Sequence, residues 1–296
     1  MNPTLNLNTA SILQNAGTTG SRQTLMSTTL FENIRKHIYE DCGIYFQDSK
    51  KYFLESRFQR RMNILKIKSF EEYYELLRSS TNGKFERKYF YEAITINETF
   101  FFRNQPQLDA MSSSLFPEII QKKLALGKNK IRIWSAASSS GEEAYSVAMI
   151  FNDLIRPKYP NIELEVIGTD INSAVIETAN NGIYKEYAIR NTPPYYLKKY
   201  FKNSEVGSFE VIPEIKKMAS FKVMNLYDNI AMKQMFNFDV IFCANVLIYF
   251  DQASKIKVVN NLYNALNKDG YLFIGYSETL HGISKAFKLI SFPSTV

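Results

Sequence analysis

Beyond the segment TINETFFFRNQPQ (95–107) the chain alternates between two kinds of segment, and that alternation leaves few folds open. The runs IRIW (131–134), LEVIGTD (164–170), FKVMNL (221–226), FDVIFCA (238–244) and YLFIGYS (271–277) are short, β-rich and almost continuously apolar. Strands with no polar face are covered on both sides, as in parallel sheets. Helical segments separate most of them, so the region reads as an α/β fold with a doubly wound, mainly parallel sheet. Between Gly182 and Ser220 lies extra material whose strand-like SFEVI and nearby Gly207 predict a small antiparallel excursion beside the sheet, at about 200–221.

Ahead of the alternating region the pattern is helical. LFENIRKHIYEDCG (30–43) ends on Gly43, a residue suited to stopping a helix. KKYFLESRFQRRMNILKIKS (50–69) follows, then SFEEYYELLRSS (69–80), where Ser69 and Glu72 stand at capping-box spacing. GKFERKYFYEAI (83–94) completes a helical domain expected over 27–94. Residues 1–26, rich in Asn, Thr, Ser and Gly, read as a flexible tail with too little apolar surface to offset its ordering entropy.

Bulk properties remove several classes. With 296 residues, 45% of them hydrophobic, the chain has apolar surface for a sizeable core. A net charge of +7 favours an acidic partner, which composition leaves open as nucleic acid, an anionic membrane or an acidic protein surface. Cys42, Cys243 and two histidines make neither a disulfide scaffold nor a zinc site, and they fit a reducing cytoplasm. No apolar stretch approaches the ~18 residues that span a membrane, and no signal-peptide pattern is present, so membrane insertion is not expected.

The segment WSAASSSGEEAYS (134–146) joins the first strand to the helix after it, where an α/β protein usually holds a nucleotide. A pyrophosphate needs converging N–H groups and several glycines. Here there is one glycine, and Glu142 and Glu143 would repel a phosphate. A cationic ligand without phosphate inverts both requirements. S-adenosylmethionine, with its sulfonium and ammonium, is such a ligand, and Asp170 at the tip of the second strand stands where a ribose-binding acid belongs. Asp170 has the competing role of capping the helix that follows, and Glu143 that of pairing with its own helix dipole. Glu142 is expected to face solvent or serve the structure.

Several blocks in fixed order carry a resemblance: TINETFFFR (95–103), RIWSAASSSGEEAYSVAM (132–149), GTDI (168–171), GIY (182–184), NLYD (225–228), FDVIFCANVLIYFD (238–251) and KDGYLFIGYSE (268–278). The chain resembles the chemotaxis receptor methyltransferases of the CheR type from about Phe31 to about Phe292. That resemblance implies a small all-α N-terminal domain, a linker over 95–110 that contributes to the cofactor site, and a methyltransferase domain over 111–296. It implies S-adenosylmethionine as methyl donor, S-adenosylhomocysteine as product, and glutamate side chains of chemoreceptors as acceptors. Asn97, Thr99 and Arg103 would close over the cofactor, and Glu143 and Asp170 would take its polar groups. Asn225 with Leu226 would flank the adenine, and Asn245 with Val246 would lie near the methionine end. A glutamate carboxylate, with a reference pKa near ~4.3, needs no general base at neutral pH, so catalysis reduces to alignment and water exclusion. Arg103 and Tyr249 are the candidate catalytic groups, holding and orienting that carboxylate.

On KKYFLESRFQRRMNILKIKS, Leu54, Phe58, Met62 and Leu65 fall on one side at ~100° per residue, beside a stripe of Lys50, Arg57, Arg60, Arg61 and Lys68. Arg57, Arg60 and Arg61 are the candidate docking residues for a receptor's glutamate-rich cytoplasmic helical bundle. Two features depart from the family pattern. The turn KNSEVGS (202–208) is short, which predicts an enzyme that binds no receptor tether peptide, and the chain stops at FKLISFPSTV, which predicts a curtailed or absent last antiparallel strand. A monomer is expected. The competing classes are a nucleic-acid methyltransferase, suggested by NTPPYY (191–196) and the positive charge, and a regulatory domain that holds the cofactor without catalysis.

Overall fold

The computed structural model describes residues 25–292. Residues 1–24 and 293–296, which include nearly all of the expected tail, lie outside the described residues. Met26 belongs to the helical domain rather than to a tail: it is buried, and its N–H donates to Glu55 Oε1.

The helical domain comprises α1 (Thr28–Cys42), α2 (Lys51–Leu65), α3 (Phe70–Arg78) and α4 (Asn82–Ile94). Local chemistry sets their ends. Gly43 stops α1 in the left-handed conformation, φ 74°. Ser69 caps α3 by accepting from the Glu72 N–H, while Glu72 reaches back to the N–H of Lys68. Leu54, Phe58 and Met62 of α2 are buried in one cluster with Phe31, Ile38, Tyr73 and Phe90, whereas Leu65 at the helix end is left 37% exposed.

α5 (Gln105–Ala110) runs through a wider turn into α6 (Phe116–Ala125) and leads to the sheet. There β1 (Lys130–Ala136), α7 (Glu142–Ile150), β2 (Glu163–Asp170) and α8 (Ser173–Asn181) follow in turn. Then come β3 (Ile183–Lys185), α9 (Glu186–Ile189), α10 (Pro194–Tyr200), β4 (Phe201–Asn203), β5 (Ser208–Val211) and α11 (Pro213–Lys216). β6 (Ala219–Val223), α12 (Asn229–Met232), β7 (Phe238–Cys243), α13 (Gln252–Ala265) and β8 (Leu266–Ile274) complete the order.

The main sheet is parallel throughout, in the order β6-β2-β1-β7-β8. The chain winds outward from β1 to β6, then returns to place β7 against the other side of β1. A ligand crevice opens at the carboxyl ends of strands beside such a reversal. Alternate residues serve opposite faces, with Ile131 and Ile133 of β1 in one apolar layer and Trp134 and Ala136 in the other. β3, β5 and β4 form a separate antiparallel sheet. The excursion therefore begins at Ile183, earlier than the sequence placed it, and ends before Ala219, because residues 219–223 belong to the main sheet. β8 is one of the two sheet edges, and among the described residues no antiparallel strand follows it.

Candidate functional site

The loop after β1 is tighter than a single glycine suggests. Ala137, Ser139 and Gly141 all have positive φ, at 59°, 50° and 91°. Only the glycine adopts that region without steric cost, so two small side chains are held there by the surrounding fold. A Cβ on Gly141 would lie 2.9 Å from the Ala179 methyl and from the Phe221 ring, which leaves room for hydrogen alone.

The Ser139 N–H, the kind of group a phosphate would seek, donates instead to Asp170 Oδ2 at 2.9 Å. Asp170 Oδ1 accepts from the N–H of Asn172. Asn172, not Asp170, caps α8, accepting from Ala174 and Val175. Burial raises the Asp170 carboxyl above its ordinary value against the pull of these donors. Glu143 receives the Ser135 hydroxyl at 2.7 Å, and burial pushes it up to about 7 although Ser135 and Arg103 act in the other direction. Glu142 is buried, accepts from Ser140 and is likewise pushed up to about 7 by burial, so its part is structural and the solvent-facing expectation fails.

Ala137, Ser139, Glu143 and Asp170, but not Glu142, line one cavity of about 720 Å³ between the helical domain and the strand tips. Asn97, Thr99, Arg103, Glu143, Asp170, Asn225, Leu226, Asn245, Val246 and Tyr249 all line it. Asn97 is fixed by Thr95 and Asn172, which both donate to its Oδ1. Asn225 donates to the carbonyl of Asp41 at 2.7 Å and accepts from the Tyr227 N–H, so its side chain ties the two domains together beside the Leu226 wall. Arg103 is exposed at the rim and donates to the Glu98 carbonyl. Burial raises the Tyr249 phenol, with Arg103 opposing, and the side chain stays a neutral hydroxyl at physiological pH.

The helical domain supplies walls that its periodicity did not reveal: Ile44, Phe46, Lys50 and Phe53 line the same cavity. The seam is bonded, with the Tyr45 N–H on the Tyr249 carbonyl at 3.0 Å and the Tyr39 hydroxyl on Asp251. Gln107 was also missed. It is buried and lines the cavity, its Nε2 donates to the Ile274 carbonyl at 2.7 Å, and its Oε1 has no partner.

Of the expected docking stripe, Arg61 is turned inward. It makes two bonds of 2.8 Å to Glu86, a buried carboxylate that also receives Tyr73, and its guanidinium lies over Tyr89. An ionised Glu86 in that place needs a charge partner, and this need removes Arg61 from the surface stripe. Arg60 is exposed, and Arg57 is partly exposed over the Phe53 ring. No residue of NTPPYY lines the cavity; Tyr195 bonds to Asp153 and Tyr196 packs on Phe102.

An orphaned acceptor on Gln107, two inward carboxylates and a loop amide already consumed by Asp170 make an acceptor-rich pocket for a cationic nucleoside. The donor set fits S-adenosylmethionine and does not fit a pyrophosphate. Sheet, loop and cavity together define an S-adenosylmethionine-dependent methyltransferase.

Comparison with known proteins narrows the class. A family model described as CheR methyltransferase, all-alpha domain, matches residues 29–95, and one described as CheR methyltransferase, SAM binding domain, matches residues 97–296. The chain belongs to the CheR methyltransferase family. It is similar to chemotaxis protein methyltransferase 2 of Vibrio cholerae, at 34% identity over 90% of this chain and 91% of that protein. It is also similar to the chemotaxis protein methyltransferase of Borreliella burgdorferi, at 37% identity over 83% of this chain and 87% of the relative. Among the described residues no helix is long and apolar enough to cross a membrane.

Proposed function

We propose that this enzyme methylates glutamate side chains on the cytoplasmic helical bundle of chemoreceptors, forming the methyl esters of chemotactic adaptation. The observation that carries the reading is the charge order along the cavity: carboxylates Glu143 and Asp170 within, cations Arg103 and Lys50 at the exposed rim. Glu98, the acidic rim residue beside Arg103, has its carboxylate engaged by Tyr187 and approached by Arg190. An acidic acceptor is thus drawn to the mouth while a cationic donor is held inside.

S-adenosylmethionine, when bound, supplies a methyl group activated by its sulfonium. Glu143 and Asp170 take the donor's polar groups, Asn225 with Leu226 flank its adenine, and Asn245 with Val246 border its methionine end. Arg103 steers the incoming carboxylate and the neutral Tyr249 hydroxyl orients one of its oxygens. The carboxylate is already ionised, so no proton has to be removed, and neither His37 nor His281 lines the cavity. Lys50 and Phe53 line the mouth, and Phe53 carries Arg57 on its ring, so Lys50, Arg57 and Arg60 lead to it, whereas Lys68 lies beyond the end of α2. The enzyme acts as a cytoplasmic monomer and, with its short β4–β5 turn, independently of a receptor tether peptide.

Radiolabelled methyl transfer to purified receptor cytoplasmic fragments tests the reading. Base-labile incorporation is expected, lost in Arg103→Ala and abolished by Arg57→Glu with Arg60→Glu while S-adenosylhomocysteine affinity stays intact. Methyl transfer to RNA or DNA, or cofactor binding with no transfer to any receptor fragment, would sink it; micromolar binding of a tether peptide in calorimetry would remove the tether-independent part.

A further inference from the structure

The turn after β8 contains a carboxylate with an unusual set of partners. Glu278 Oε2 accepts from the N–H of Asn245 at 2.9 Å and of Gly275 at 2.6 Å, while Oε1 accepts from Val246 at 2.9 Å and Ile248 at 3.3 Å. Three of the four donors belong to the segment that leaves β7 and forms one wall of the cavity. Backbone amides converging on an anion form a nest, and charge-assisted bonds of this kind are stronger than neutral ones.

The neighbouring backbone is arranged around this contact. Asn245 has φ +62°, a left-handed conformation that is uncommon outside glycine and that asparagine tolerates better than most residues. A Cβ on Gly275 would lie 2.8 Å from the Asn245 nitrogen and 2.8 Å from Glu278 Oε2, so only hydrogen fits between them. The pinned segment continues into a turn in which the Tyr249 N–H donates to the Val246 carbonyl at 3.1 Å. The same stretch then meets the helical domain, through the Tyr45 bond to the Tyr249 carbonyl and a bridge between Phe250 and Ile44.

We propose that Glu278 is a positioning residue of the transfer site. Without lining the cavity itself, it fixes the Asn245–Tyr249 wall, and through that wall the methionine-end pocket, the Tyr249 hydroxyl and the seam with the helical domain. The inference rests on S-adenosylmethionine-dependent methyl transfer as the activity. Glutamine cannot replace the residue. Each carboxylate oxygen takes two N–H groups, so either orientation of the amide sets an NH₂ donor against two donors.

The test compares the full chain with Glu278→Gln by calorimetric titration of S-adenosylhomocysteine and by steady-state methylation of a receptor fragment. The variant is expected to bind S-adenosylhomocysteine at least tenfold more weakly and to lose at least tenfold in kcat. Receptor KM is expected to stay within twofold, because none of the four N–H groups that Glu278 holds lies on α2, which carries the docking cations. A purely structural role lowers the melting temperature without this split. A folded variant with wild-type affinity and kcat overturns the proposal. Should the variant not fold, hydrogen exchange of the wild-type amides of Asn245, Val246 and Gly275 decides. Slow exchange that slows at least tenfold further with S-adenosylhomocysteine is expected, and fast or ligand-insensitive exchange overturns it. Failure of the wild-type chain to bind S-adenosylhomocysteine would instead count against the methyltransferase reading.

Discussion

Replacing Glu143 with glutamine should make the protein more stable and a worse binder at once. Burial pushes this carboxyl from an ordinary 4.5 up to about 7. At ~1.36 kcal/mol per pH unit, keeping it ionised in the ligand-free fold costs about 3 kcal/mol at most. The side chain retains some exposure at the cavity wall, so about 1–3 kcal/mol is the working figure. The sign follows from the raised value. The unfolded chain gives up its proton near 4.5 and the folded one near 7, so wild-type stability falls as pH rises between those values and levels off above 7. Glutamine has no such dependence and can still accept from Ser135. Above pH 7.5 the variant should therefore melt roughly 2–6 °C higher, with the gap closing toward pH 4.5. Binding moves the other way. Losing a charged acceptor should weaken S-adenosylhomocysteine roughly 10- to 100-fold above pH 7. Wild-type affinity should decline as pH drops through about 7 while the variant's stays flat. Glu142 titrates in the same range but does not line the cavity, and it is present in both proteins, so the comparison isolates Glu143. Differential scanning calorimetry and isothermal titration across pH 5–8.5 provide both halves. A variant that melts lower at pH 8, or binds as tightly as wild type, refutes the argument.

Two further substitutions probe the frame around the site. Arg61→Ala leaves Glu86 buried without its ion-pair partner, with side chains that are only 15% and 6% exposed, and should cost about 3–5 kcal/mol in urea denaturation. The exposed Arg60→Ala should stay within about 0.5 kcal/mol, and equal losses for the two would show Arg61 to be a surface residue after all. Gly141→Ala places a Cβ 2.9 Å from Ala179 and Phe221 at φ 91°, so a loss of about 2 kcal/mol or more is expected, together with weaker S-adenosylhomocysteine binding. Gly207→Ala, whose Cβ meets nothing within 4 Å, should cost only about 1 kcal/mol in calorimetry and leave binding unchanged.

What could be read from the residues was whatever local pattern dictates. The inner strands β1, β2 and β7 are visible because both faces of a parallel sheet are apolar, and the ends of α1 and α3 because Gly43 and Ser69 act on their own neighbours. Motif chemistry reaches somewhat further: Asp170 and Glu143 sit at strand and helix ends, where their surroundings follow from the fold class. Contacts closed over long stretches of sequence leave no such trace. Arg61 looks like one more cation in a stripe until Glu86, on another helix, is seen to need it. β3 has three residues and no alternation of its own, and becomes a strand only because β5 lies beside it. Glu278 shows the same limit most clearly. YSE at the end of a strand carries no local signal for an anion nest, since three of its four donors are backbone groups about thirty residues away, and a backbone N–H has no letter in a sequence. The positive φ at Asn245 is also hard to read in advance, since asparagine tolerates that region but does not require it. Cavity-lining residues such as Asp170 and Glu143 can thus be picked out by their chemistry, while contacts such as those of Glu278 are found by asking where each buried carboxylate and each backbone amide has gone.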